Sequence, residues 1–410
     1  MAITSTQRLR ATLALSLLPV VAVAQPVSMP TRAEDVFSVE AGAGLEHHSN
    51  IFRTQDGQSD TILRALLGIR AERELSLQRF SAFANLQPVK YASNSRYDFV
   101  GWTAGAGWDW QIGRPLFGNF TAGFTRDQTP FDVIGIDPTG RAQNNLRNLV
   151  TLRALGGLRL TQGLSAIAAV DRLNLENSLD IQRGSDFRRT GAEVGVRYAP
   201  GGATDLDVVY RRENGDFPNR QVFDALGLLL PAAVDNQYTQ DGLLLRLGWR
   251  PSEASRLSGN VGYTRRSFEN LPQRDFSGVT AGLDAEWPLS GQVLMRASVF
   301  RSIDTIELLN ASYIDAIGFG IRPTWQLTSR IAIDGILSYA TRSYQGDPRF
   351  VISNLEVRED KLTDLGVRIN YELARRVALY TDLRTLRRTS NYQGFDFTDN
   401  WFGVGVRGAF

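Results

Sequence analysis

Basic side chains in this chain are almost all guanidinium groups: lysine occurs only at Lys90 and Lys361, and the other 43 basic residues are arginines. A guanidinium is planar, offers paired donors to carboxylate, sulfate or phosphate, and stays charged at any working pH. The chemistry it makes available is recognition of anions. Bond-making groups are scarce by comparison. There is no cysteine, hence no disulfide framework and no thiolate site, and the only histidines are the adjacent His47 and His48. A surface protease or phospholipase would need a Ser or Asp constellation facing one of them. No His, Asp and Glu cluster stands at metal-ligand spacing and no glycine-rich phosphate loop occurs. The residues therefore read as a non-enzymatic protein with no metal or cofactor. A net charge of +2 names no partner, and nothing points to nucleic acid.

Whether the arginines act together depends on the elements that hold them. From residue 35 onward the chain falls into segments of roughly ten to fifteen residues with alternating hydrophobicity. Leu63, Leu67 and Ile69 alternate with Arg64, Gly68 and Arg70. Val150, Leu152, Ala154 and Leu158 alternate with Thr151, Arg153 and Arg159. Val194, Val196 and Tyr198 alternate with Glu193 and Arg197, and Leu365, Val367 and Ile369 with Arg368 and Asn370. A helical period fits none of these, and the alternation blurs around Arg172 and Phe300.

Short connections at 73–76, 112–116, 161–163, 200–202, 251–254, 288–291, 327–329 and 374–376 are rich in turn formers or polar residues. Longer polar connections at 47–60, 92–96, 127–144, 176–185, 214–236, 269–275, 303–310, 343–358 and 389–398 alternate with them. Eight short turns and nine long loops predict an all-β fold: an antiparallel transmembrane outer-membrane β-barrel of about 18 strands, with both termini periplasmic and the long loops outside. A barrel of that size encloses an aqueous lumen. Hydropathy windows miss such a protein, because only every second residue faces lipid.

Both ends of the chain fit that location. Residues 1–24 read as a signal peptide, with Arg8 and Arg10 before an apolar stretch and Ala22-Val23-Ala24 as a cleavage site, so the mature chain is expected to begin near Gln25. Residues 25–34 are expected to form a short periplasmic segment, and 35–410 the barrel. At the other end Phe402, Val404, Val406 and Phe410 share one face of a final strand, and the terminal Phe410 is expected to serve as the assembly signal for the barrel assembly machinery. Trp108, Trp110, Tyr198, Trp249, Trp287, Trp325, Tyr371 and Phe410 fall on the lipid phase near the short turns, and Tyr210, Tyr263 and Tyr339 on the same phase near the long loops. Two aromatic girdles in outer-membrane lipid follow.

The strand phase turns a set of arginines inward: Arg64, Arg70, Arg147, Arg153, Arg159, Arg197, Arg246, Arg296, Arg322, Arg368, Arg384 and Arg407. Inward acids, including Glu40, Asp109, Glu193, Asp207, Asp284, Asp334, Asp364 and Asp382, come out somewhat fewer. An arginine-rich lumen would favour an anionic solute or polymer. The alternative is that each arginine merely pairs with an acid on the next strand and binds nothing. An apolar run, Phe223 to Pro231, in the 214–236 loop is expected to fold into the barrel mouth as a constriction, and the loop at 127–144 is a second candidate gate.

The first hairpin, Val39-Glu40-Ala41-Gly42-Ala43-Gly44-Leu45 followed by His48-Ser49-Asn50-Ile51-Phe52-Arg53, resembles an element of the EpsL-type outer-membrane barrels associated with exopolysaccharide biosynthesis, within a broader β-barrel porin family. His47 and His48 stand where those relatives often carry Asp. The resemblance implies an outer-membrane channel that exports an extracellular polysaccharide, with periplasmic or inner-membrane export components as partners. A general or anion-preferring porin and, from another class, a surface enzyme on a barrel scaffold are the other readings.

Overall fold

The computed structural model describes residues 36–134, 142–219, 235–304, 313–345 and 356–410. The stretches read above as a signal peptide and a periplasmic segment, and the apolar run from Phe223 to Pro231, lie outside them. Eighteen strands follow in order: β1 (Phe37–His48), β2 (Asp60–Leu75), β3 (Gln78–Tyr91), β4 (Phe99–Ile112), β5 (Leu116–Gln128), β6 (Leu146–Arg159), β7 (Leu164–Asn177), β8 (Phe187–Tyr198) and β9 (Thr204–Asp216). The second half comprises β10 (Tyr238–Trp249), β11 (Arg256–Phe268), β12 (Phe276–Pro288), β13 (Val293–Asp304), β14 (Tyr313–Gln326), β15 (Ile331–Gln345), β16 (Glu359–Ala374), β17 (Val377–Ser390) and β18 (Phe397–Ala409). Among the described residues one short α-helix, α1 (Phe131–Ile134), follows β5.

Every strand pairs antiparallel with its chain neighbours, and β1 pairs with β18, from Glu40 opposite Ala409 to His48 opposite Trp401. Closure leaves no edge strand, so ladder donors and acceptors meet one another instead of lipid. Only such a sheet can cross hydrocarbon. The eight connections at one rim are tight. Gly113 takes φ +60° and Gly202 φ +75° in two of these turns, a left-handed backbone that glycine adopts without a Cβ clash.

The predicted phase holds through the sheet. Leu45 sits between Leu63 of β2 and Val404 of β18, and all three are exposed on the outer surface. Leu152, Val194, Val196, Leu365, Val367, Ile369, Phe402 and Phe410 are exposed there too, along with Trp108, Tyr198, Trp249, Trp325 and Tyr371 of one girdle and Tyr210 and Tyr263 of the other. Through the middle of each strand this outward face carries no charge. An arginine at the bilayer midplane would cost about 2–4 kcal/mol, falling to about 0–1 near an interface.

The two blurred stretches resolve once register is known. Phe300 pairs with Gly282 and Gly318 and therefore points inward, an apolar residue on the polar face. Arg172 pairs with Leu152 and Thr190 and points outward, near the long-loop rim. Each breaks the alternation for a positional reason that a single strand does not reveal.

Candidate functional site

The inner wall is where the predicted site residues come together. Seven of the twelve arginines hold acids. Arg64 donates to Glu46 at 2.8 Å, Arg153 to Glu193 at 2.7 Å, and Arg197 grips Asp207 with two bonds of 2.7 and 2.8 Å. Arg246 donates to Glu193 at 2.7 Å and Arg296 to Glu286 at 2.7 Å, while Arg368 and Arg384 clamp Asp382 and Asp364 in the same two-pronged way. Among the described residues the other five have no carboxylate within ion-pair distance. Arg70 and Arg322 are exposed to the lumen, Arg159 reaches the Arg114 carbonyl, Arg147 lies across the ladder from Asp127, and Arg407 buries an Nε that has no hydrogen-bond partner.

The expectation that inward acids are fewer does not hold. Register places Glu46, Asp60, Glu72, Asp127, Asp171, Glu213, Glu286, Asp360 and Asp399 on the same face as the eight acids identified from sequence. Several stand at strand ends beside loops, where the alternation of one strand is hard to read. Over the whole wall, positive and negative groups are close to balanced.

Positive charge is instead local. On β6 to β11, Arg153, Arg189, Arg211, Arg246 and Arg266 surround only three acids, Asp171, Glu193 and Glu213. Arg211 is the hub, 2.6 Å from Asp171, 2.8 Å from Glu193 and 3.1 Å from Glu213. Glu213 is 1 % exposed, so its charge is matched by guanidinium groups and not by water. A buried carboxylate of this kind is tolerable only when so compensated. Arg246 keeps a third of its side chain open to the lumen. Sequence reasoning omitted Arg211, although assigning Tyr210 to the lipid phase already turns its neighbour inward.

Aromatic rings share the wall. Phe83 and Phe300 point inward yet stay exposed, 42 % and 37 %. Each ring covers a glycine on the next strand, Gly105 and Gly318, where any Cβ would collide with it. Tyr380 likewise lies over Gly44 and Gly405 across the closing pair of strands. Flat aromatic faces and free guanidinium groups are thus presented to the same aqueous space.

At the long-loop rim, the segment after β5 turns into the barrel through α1. Phe131 of α1 is buried, its ring 5.0 Å from those of Phe52 and Tyr97. Asp132 accepts from Arg53 at 3.1 Å and from Arg388 of β17 at 2.9 Å. Since β17 and β5 are six strands apart around the sheet, this loop reaches over a third of the circumference. Sequence pointed to the loop but not to Asp132.

The histidines separate. His47 faces outward opposite Thr61, which it meets at 3.0 Å. His48 faces inward, stacks on Trp401 with ring centroids 5.1 Å apart, and meets Asp399 at 2.9 Å through Nδ1. Its buried Nε2 has only Glu46, at 3.6 Å, and no hydroxyl nucleophile. Asp399 also accepts the Asn50 backbone N–H at 3.1 Å, so the pair anchors the first loop. Among the described residues no group of three or more His, Asp or Glu side chains is arranged to hold a metal ion.

No curated protein matches the chain. Among solved structures it is similar to the ferric enterobactin receptor PfeA of Pseudomonas aeruginosa, with a TM-score of 0.47 and 8% identity over 93% of this chain and 81% of that one. It is also similar to OccK2 of the same organism, crystallised with glucuronate, with a TM-score of 0.45 and 12% identity over 91% and 98%. OccK1, again from Pseudomonas aeruginosa, gives 0.45 and 13% over 91% and 99%. Residues 230–410 match the family described as "Putative beta-barrel porin 2". With its closed sheet of eighteen strands, apolar outer belt and girdles, the chain is a β-barrel of the Gram-negative outer membrane.

Proposed function

We propose that this barrel is a non-enzymatic channel that passes an acidic, hydroxyl-rich polysaccharide from the periplasm to the cell surface. The observation that carries the reading is the joint presentation of exposed inward rings, Phe83 and Phe300, with the arginine cluster centred on Arg211. Aromatic faces take up the apolar face of a sugar ring, while guanidinium groups take up carboxylate and hydroxyl oxygens. Many weak, replaceable contacts let a polymer advance without trapping it, as multi-site pores require. The resemblance of the first hairpin to exopolysaccharide-associated barrels supports the direction of transport. Both termini would then face the periplasm, after removal of a signal peptide, where polysaccharide export components would dock.

A second reading, an open porin for small anions, is favoured by the porin family match over residues 230–410. Deleting the gene separates the two. Export predicts loss of surface polymer with intact synthesis and retention of the polymer, or its lipid-linked precursor, behind the outer membrane. Normal secretion with lost uptake of small anions would establish the porin.

A further inference from the structure

On the described strands the outward face of the barrel bears nearly all its charge at one rim. Of its strand residues, Lys90, Arg126, Arg172, Arg188, Arg212, Arg265, Arg301, Lys361 and Arg387 all share the lipid-facing phase, each within a few residues of a long loop. At the short-turn rim the described strands carry a single outward charge, Arg73. Both lysines of the chain lie in the belt. Arg212 and Arg265 follow Tyr210 and Tyr263 by two residues on the same face, so the cations stand just beyond the aromatic girdle, toward the loops.

Acids offset this belt only in part: on the described strands Glu176, Asp216, Asp241, Asp315 and Glu359 share its phase and rim, five against nine cations. Arg212 has Asp241 at 3.8 Å and Arg301 has Asp315 at 2.9 Å, but Lys90, Arg172, Arg188, Arg265, Lys361 and Arg387 are exposed and have no carboxylate within ion-pair distance among the described residues. Two pairs are diagonal neighbours on one face. Arg172 is opposite Thr190 while Arg188 is opposite Asn174, and Lys361 is opposite Thr389 while Arg387 is opposite Thr363. Each couples two cations with a threonine hydroxyl, a combination of donors suited to the oxygens of a phosphate monoester; Asn174 itself is engaged by Arg188 and Glu176.

We propose that this belt is a binding surface for the phosphorylated glycolipid of the outer leaflet, which it holds by its phosphate groups. The occupant must be lipid because the cations project from the membrane-facing phase, immediately past the girdle. It must be anionic because the surplus of charge there is positive. It must belong to one leaflet because the opposite rim lacks the feature. The inference goes beyond transport and does not depend on which solute passes through the lumen.

The test uses the refolded full-length protein in neutral detergent, titrated with bisphosphorylated lipid A, its dephosphorylated form, or phosphatidylglycerol. Thermal unfolding and native mass spectrometry are the readouts. Bisphosphorylated lipid A should raise the unfolding temperature in a saturable way and remain bound in the gas phase, and the other two should do neither. The R172Q/R188Q/K361Q/R387Q variant should bind roughly tenfold or more weakly, with single-channel conductance unchanged because none of the four faces the lumen. Equal binding by that variant, or equal stabilisation by dephosphorylated lipid or by phosphatidylglycerol, would overturn the proposal. Should the variant fail to assemble, the R172Q/R188Q and K361Q/R387Q pairs are titrated separately against the same criterion.

Discussion

Arg388 on β17 and Asp132 in the loop after β5 meet at 2.9 Å although 256 residues separate them in the chain. The carboxylate also takes a bond from Arg53, so one buried acid ties a loop, a far wall and the first loop together. Replacing Asp132 by Asn removes the charge and one of its two acceptor oxygens, and leaves two arginines facing each other with an amide that can accept from only one of them. D132N is therefore expected to release the loop from the lumen and raise single-channel conductance in planar bilayers. Conductance identical to the parent protein would show that this loop does not restrict the path.

The two kinds of inward arginine should behave differently. Arg197, Arg368 and Arg384 are held bidentately by Asp207, Asp382 and Asp364, and such pairs project little net field. Arg70, Arg322 and Arg407 lack carboxylate partners among the described residues and contribute their charge to the lumen. Replacing the latter three by Gln should shift the reversal potential in a salt gradient toward cations, more than replacing the former three does. Arg246 and Arg296 should fall between, since Arg246 shares Glu193 with Arg153 and keeps a third of its side chain open, and Arg296 stays half-exposed beside Glu286. Equal shifts from both triple variants would refute the distinction.

The seam between β1 and β18 depends on Tyr380, whose ring occupies the space over Gly44 and Gly405. A Cβ at Gly405 must displace that ring, and overpacking of this sort typically costs about 1–3 kcal/mol. G405A should therefore lower the temperature of the heat-dependent gel shift, and Y380A in the same chain should restore most of it. An additive double variant would contradict the packing explanation.

Phe410 closes the same seam through its backbone: its N–H donates to the Val39 carbonyl at 2.7 Å, and Val39 N–H returns a bond at 2.8 Å. Deleting Phe410 should reduce the yield of folded barrel, judged by resistance to unfolding in detergent on gels. Undiminished yield would deny the residue its role in assembly.

Strand number, phase and connections were legible in the sequence because a membrane barrel repeats one constraint eighteen times: outward residues must satisfy lipid, inward ones water. Leu365, Val367 and Ile369 state that rule locally, with no help from their neighbours. The arginine identities and their inward orientation followed from the same alternation. Pairing did not, because a carboxylate partner comes from an adjacent or next-adjacent strand, and register decides which. Arg246 reaches Glu193 over the intervening β9, and Arg388 meets Asp132 across six strands. Phe300 and Arg172 looked like faults in the pattern until closure of the barrel gave one to the lumen and the other to the rim. Composition alone determined that the chain is rich in anion-binding groups; only the closed sheet decided which of them are neutralised, which face water, and which face lipid.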